Sequence, residues 1–219
     1  MSSIMIVRGV AVAVVCIVVL GAAVGAAAGP PTDQLKGGVE RVLKALEDSG
    51  LKGEGRAAER RAAVRKVAQE IFDFPEMARR SLGRHWQTLT QKQREEFTGL
   101  FRDLLERAYV SRIEQYGGER ISYLNERIDG DNATVGTRIV SKSGTEVPVD
   151  YRLLRNGARW LVYDVNIEGV SLVSNYRTQF NKIMQTSGYD DLIQRLRTKQ
   201  GDLDTSDGSK DKKAAPAKK

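Results

Sequence analysis

Histidines, carboxylates, serines and clustered arginines are the residues that do chemistry, and this chain sets few of them at useful spacing. His85 is the only histidine among 219 residues. A lone imidazole without clustered cysteines or carboxylates makes a poor metal site. Beside Trp86 it reads first as a structural hydrogen bonder. Serine–histidine catalysis would need a serine and an acid around it, and no GxSxG string occurs. A phosphate-cradling Walker loop and a dinucleotide fingerprint are also lacking. Asp164 and Glu168 stand near the end of an apolar strand and can form a carboxylate pair for acid–base work; residues so placed more often cap a helix or pair with arginine. Arg79, Arg80 and Arg84 cluster near Trp86, where they can meet a phosphate or form a solvated face.

The elements that must position these groups are easier to read. In Val147 to Phe180, the residues Val147, Val149, Tyr151 and Leu153 alternate with Pro148, Asp150, Arg152 and Leu154, the period-2 pattern of a strand with one apolar face. Asn156-Gly157 offers a two-residue hairpin turn. The chain returns through Trp160, Leu161, Val162, Tyr163 and Val165, bends at Glu168-Gly169 and enters a helix carrying Val173, Tyr176 and Phe180. The expected result is a concave apolar surface with a helix close by, suited to holding something greasy rather than transforming it.

Upstream, Asp33 is placed to cap a helix with Leu35, Val39, Val42, Leu43 and Leu46 on its apolar face. A basic helix follows, with Val64, Val67, Ala68, Ile71 and Phe72 on one side. Asp73-Phe74-Pro75 starts a short helix, since proline suits a first turn. Thr90 and Gln93 spell a capping box, so a long helix should begin near Gln91 and run toward Tyr116, where Gly117-Gly118 ends it. From Arg120 the period changes to two. Four strands joined by short turns form an antiparallel meander with one face for helices to cover. Helices over Leu172–Thr186 and Tyr189–Lys199, broken at Ser187-Gly188, complete an α+β fold: a twisted four-stranded antiparallel sheet covered by helices.

Residues 1–28 have the form of an export signal. Arg8 supplies the positive start, Val10 to Leu20 is uninterrupted and apolar, and Ala26-Ala27-Ala28 offers small residues for cleavage. The alternative is an uncleaved anchor over Val10 to Ala28 that tethers an interaction module. Cleavage would remove Cys16, the only cysteine, so that packing alone must stabilise the mature domain, residues 29–199. Residues 200–219, rich in Asp, Ser, Gly, Lys and Ala, read as a disordered charged tail. The formal charge of +7 suits anionic membrane surfaces, lipid head groups or simple solubility. Nucleic acid is not expected as a partner of an exported chain.

Two stretches carry a resemblance to a known family. DFPEMARRSLGRHWQTLTQKQREEFTGLFRDLLERAY, from Asp73 to Tyr109, and VDYRLLRNGARWLVYDVNIEGVSLVSNYRTQF, from Val149 to Phe180, resemble the MlaC family, also called toluene-tolerance auxiliary proteins. Its most specific parts are the Trp160 to Asp164 strand and the segment from Ile167 to Arg177. The basic helix from Arg56 and the tail beyond Gln200 lie outside the likeness. The resemblance implies an NTF2-like cone with additional helices and a periplasmic carrier with phospholipid as cargo. It implies no cofactor, metal or catalytic residue. The partners implied are an inner-membrane ABC transporter complex with an MCE-domain subunit and an outer-membrane lipoprotein–porin complex, and the role is the maintenance of outer-membrane lipid asymmetry.

A two-chain lipid has roughly thirty methylenes, so at about 0.8 kcal/mol each some 20 kcal/mol opposes its exposure to water. A soluble carrier must offset nearly all of that with a dry cavity and few polar contacts. Trp86, Phe97, Phe101, Leu104, Tyr109, Val149, Tyr151, Trp160, Val162, Val170 and Leu172 are the candidate lining residues. The competing reading is a small NTF2-like enzyme that uses Asp164 or His85.

Overall fold

The computed structural model describes residues 30–48, 50, 54–114 and 116–198. The expected signal, Cys16 and the charged tail lie outside them. Helix α1 spans Pro30–Glu47, α2 Ala57–Ile71, α3 Phe74–Leu82 and α4 Gln91–Glu114, with a 3-10 turn at Gly83–Thr88. Strands β1 (Arg120–Asp129), β2 (Asn132–Val140), β3 (Glu146–Asn156), β4 (Arg159–Ile167) and β5 (Val170–Ser171) follow, then α5 (Leu172–Thr186) and α6 (Gly188–Arg197).

Most boundaries follow from local chemistry. Asp73 caps α3 by accepting the Glu76 N–H at 2.9 Å. The box before α4 is made in both directions, Thr90 N–H to Gln93 Oε1 at 2.9 Å and Gln93 N–H to Thr90 Oγ1 at 3.3 Å. Helix α1 starts earlier than the expected Asp33 cap. Its first turn holds Pro30 and Pro31, and the cap comes from a distant strand. The Glu126 carboxylate of β1 accepts both the Thr32 N–H at 2.8 Å and the Thr32 hydroxyl at 2.6 Å. A cap supplied across 94 residues leaves no local signature.

The sheet is antiparallel, open and ordered β1-β2-β3-β4-β5, with five strands where four were expected. The bend expected at Glu168-Gly169 is a tight hairpin, with φ of 50° and 87° at its two central residues. It returns the chain for two residues beside β4, Val170 opposite Ile167 and Ser171 opposite Asn166. Two residues are too few for alternation to reveal. The β3–β4 turn also shifts by one residue: Asn156 pairs with Arg159, so Gly157 and Ala158 form the turn, with Gly157 at φ 60°.

Two apolar cores result. In the first, Leu35 of α1 packs on the inner sheet face formed by Ala133, Val135, Leu153, Trp160 and Val162. In the second, α3 to α6 surround Phe97, Phe101, Tyr176 and Phe180, whose ring centroids lie 5.2–5.8 Å apart in stacked and edge-on pairs. Phe72 touches both cores. The next residue, Asp73, donates its N–H to the Val162 carbonyl at 2.9 Å, fastening the start of α3 to the sheet.

Candidate functional site

The inner face of the sheet owes its composition to the alternation of β2 and β3. Ala133 stands opposite Leu153, Val135 opposite Tyr151 and Thr137 opposite Val149. Residues directly opposite share a face, so these six point the same way. Thr137 is buried and satisfies its hydroxyl within the sheet, donating to the Val149 carbonyl at 2.8 Å. Strand β4 adds Trp160 and Val162. Its register shift at Arg152/Leu153 leaves Tyr163 as an extra residue and brings Val165 back to this face.

Helix α1 lies over that surface and is tied down near its N-terminus. Gln34 accepts the Trp160 N–H at 2.9 Å and donates to the Ala158 carbonyl at 3.5 Å. Between α1, α2 and the sheet a cavity of about 220 Å³ remains. Leu35, Ile71, Leu153, Trp160 and Val162 form its apolar floor, and Asp33, Gln34, Arg41, Glu70 and Arg159 its polar rim. The rim is internally paired: Arg41 meets Glu70 at 3.2 Å and Arg159 donates to the Glu70 carbonyl. Sites that enclose a drug-sized ligand measure roughly 300–1,000 Å³, so this cavity falls short of a two-chain lipid. Further along α1, an open hollow of about 500 Å³ is bounded by Glu40, Leu43, Lys44, Glu47 and Asp48.

Ten of the eleven candidate lining residues lie in or against the helical core or on the sheet side. Phe97, Phe101 and Leu104 are buried in the helical core, with Trp86, Tyr109 and Leu172 packed at its margin. Val149, Tyr151, Trp160 and Val162 lie on the sheet side. Val170 is exposed at 61% on β5. Trp160 and Val162 are the members of this set that reach the 220 Å³ cavity. Leu35, Ile71 and Leu153 join them there, although sequence reasoning had named these three only as apolar faces of their elements.

The residues weighed for catalysis have structural partners. Asp164 is 2% exposed; its Oδ2 accepts from Ser171 Oγ at 2.7 Å and Arg152 at 3.4 Å, and its Oδ1 accepts the Val173 N–H at 3.0 Å. It therefore seats the positive end of α5. Glu168 is exposed in the β4–β5 turn. His85 Nε2 meets Asn181 Oδ1 at 3.0 Å. Burial, with a smaller contribution from Tyr151 and Glu40, pushes the Tyr123 phenol up to about 12, and burial alone does the same to Tyr151. Two neutral phenols thus stand on the sheet's inner face. Among the described residues no cluster of three metal-ligating side chains forms, and no helix is long and apolar enough to cross a membrane.

Comparison with known proteins then bears on what this geometry serves. A family model described as MlaC protein matches residues 36–198. The chain is 28% identical over 121 residues to the intermembrane phospholipid transport system binding protein MlaC of Haemophilus influenzae, covering 53% of this chain and 56% of the relative. It is 29% identical over 102 residues to the toluene tolerance protein ttg2D of Pseudomonas putida, covering 46% and 47% respectively. The matches thus span about half the length of these curated relatives. Among solved structures, a phospholipid-binding protein from Ralstonia solanacearum, in complex with a phospholipid, superposes with a TM-score of 0.69 at 25% identity, over 77% of this chain and 95% of that one.

Proposed function

The chain belongs to the MlaC family, and from that premise we propose that it is a carrier that binds phospholipid and moves it through the periplasm. The observation that carries this reading is the shared architecture with a protein solved with phospholipid bound, over nearly all of that protein's length. The apolar inner sheet face under α1, whose charged rim is internally paired, is the feature of this chain suited to hydrocarbon. We place acyl chains between the sheet and the α1–α2 layer. Because the cavity there measures about 220 Å³, loading must part the α1–α2 layer from the sheet.

The finer elements of the proposal follow the family's pattern. Residues 1–28 direct export and are cleaved, an inner-membrane ABC transporter complex with an MCE-domain subunit and an outer-membrane lipoprotein–porin complex are the partners, and outer-membrane lipid asymmetry is what the traffic maintains. The role is carriage without turnover: Asp164 and His85 are engaged in holding α5 and its surroundings.

Native mass spectrometry on protein purified from cells tests the reading. A phospholipid adduct is expected, with the polypeptide starting near Gly29. A clean apo mass under gentle ionisation would overturn carriage, and a retained N-terminal segment would overturn cleavage.

A further inference from the structure

Charge is distributed unevenly over this molecule. Helix α1 carries three basic and three acidic side chains, α4 five and five, and α6 two and two. Helix α2 has an excess of two, and its Arg65 is tied to Glu106 of α4. Helix α3 with its Asp73 cap, the 3-10 turn and α5 together hold Arg79, Arg80, Arg84, Arg177 and Lys182 against two carboxylates, Glu76 and Asp73, the latter acting on Arg79. The fold brings these three consecutive-in-space elements onto one surface.

Their side chains are pre-positioned. Glu76 accepts a fork from Arg79 at 2.6 and 2.5 Å and a further bond from Arg80 at 2.6 Å. Arg80 lies 3.8 Å over the Tyr163 ring. Arg177 reaches across from α5 and donates to the Arg80 carbonyl at 2.7 Å. Arg84 meets Asn181 Oδ1 at 3.4 Å, the atom His85 also engages. Holding guanidiniums in place beforehand lowers the entropic cost of binding.

We infer that the α3–α5 face is a bilayer-docking surface whose arginines engage the phosphates of anionic phospholipid head groups. This rests on the carrier reading, which brings the protein to phospholipid at the start and end of each trip. The guanidinium donors not turned to Glu76 or the Arg80 carbonyl suit phosphate oxygens. The face also lacks what a tight protein interface needs, a central apolar or aromatic anchor. The exposed large apolar residues among those described, Ile113, Leu124, Ile128 and Val170, all lie on other elements. An array of charges without such an anchor gives a contact held by electrostatics and weakened by salt. Glu76 offsets part of the field, since burial opposes its ionisation but the bonds from Arg79 and Arg80 outweigh that and hold it charged below its ordinary range; five cations against Glu76 and Asp73 still leave an excess of three.

Vesicle co-sedimentation tests the surface. Protein as purified is mixed with vesicles of three parts phosphatidylethanolamine to one part phosphatidylglycerol, and with vesicles of phosphatidylcholine alone. Preferential binding to the anionic vesicles is expected at about 50 mM salt, and its loss at about 500 mM, where the screening length is below roughly 5 Å. The triple variant R79Q/R84Q/R177Q should bind them about a hundredfold more weakly, at roughly fivefold per charge near the surface. If loss of the Arg177 bond unfolds that variant, R79Q/R84Q should still show about a twenty-fivefold loss. A control of equal charge change on exposed sites elsewhere, K36Q/K92Q/K142Q, should bind nearly as wild type does. Wild-type protein that ignores anionic vesicles while still carrying phospholipid in native mass spectrometry overturns the docking face and leaves carriage standing. Equal losses in the control and the arginine variant also overturn it.

Discussion

Asp164 illustrates how one residue's role depends on what stands above it. By type and position it was a candidate acid–base catalyst. In the structure its carboxylate takes the Val173 N–H of α5's first turn and the Ser171 hydroxyl, while Ser171 in turn accepts the Ser174 N–H at 3.0 Å. The two side chains share out the orphan donors of that helix start. Asp164→Ala should therefore destabilise the fold by about 2–3 kcal/mol, because it strands a buried N–H and the Ser171 hydroxyl. Asp164→Asn, which keeps one acceptor, should lose less. Urea unfolding measures both; wild-type stability in Asp164→Ala would contradict the capping role. His85 finds its partner Asn181 96 positions away, whereas Asp164 meets Ser171 and Val173 only seven and nine residues on, once the chain has folded back beside β4.

At the scale of elements, the α1–α2 pair controls access to the sheet. The two helices come close together at Gly38, where a side chain's Cβ would stand 2.6 Å from Ile71 Cγ1 and Cδ1 and 3.9 Å from Ile71 Cβ. That last distance lies within the roughly 3.5–4.5 Å spanned by the Cβ atoms of a disulfide. In a background where Cys16 is replaced, Gly38→Cys with Ile71→Cys should close a cross-link on mild oxidation and raise the unfolding temperature. Thiol titration and a mass loss of two hydrogens check it. Free thiols after oxidation would show that the two helices do not meet at this point. The same close approach accounts for the glycine, since a larger residue would force the Ile71 side chain or α1 itself to shift.

The molecule holds six of its seven tyrosines in or against the two cores, and this makes it sensitive to alkali. Burial pushes Tyr176 and Tyr189 in the helical layer, as well as Tyr123 and Tyr151 on the sheet, up to about 12 from an ordinary 10. The unfolded chain begins to release these protons near pH 10 while the folded one retains them to about 12. Stability is therefore fully present below pH 10 and falls as pH rises through that window. Tyr176, 1% exposed, accounts by itself for roughly 2–3 kcal/mol of that fall. Denaturant midpoints measured from pH 8 to pH 11.5 should decline, and Tyr176→Phe should blunt the decline. A flat profile would show that these phenols are solvated in the folded state.

What this sequence determined by itself was whatever depends on neighbours along the chain. The capping box at Thr90 and Gln93, Pro75 in the first turn of α3, the alternation from Val147 to Leu153, and the motif shared over Ile167 to Arg177 all act over a few residues, and each was readable. So were the α+β class and the family, because periodicity and local motif are one-dimensional properties. The tertiary structure decided the rest: that Glu126 caps α1, that a two-residue strand follows Glu168-Gly169, that the apolar candidates separate into two cores joined at Phe72, and that Arg177 lands beside Arg80. Apart from that strand, whose two residues are too few to alternate, those are meetings between residues far apart in the chain. Their partners are chosen by which surfaces can be buried together, and no pattern in either segment alone records that choice.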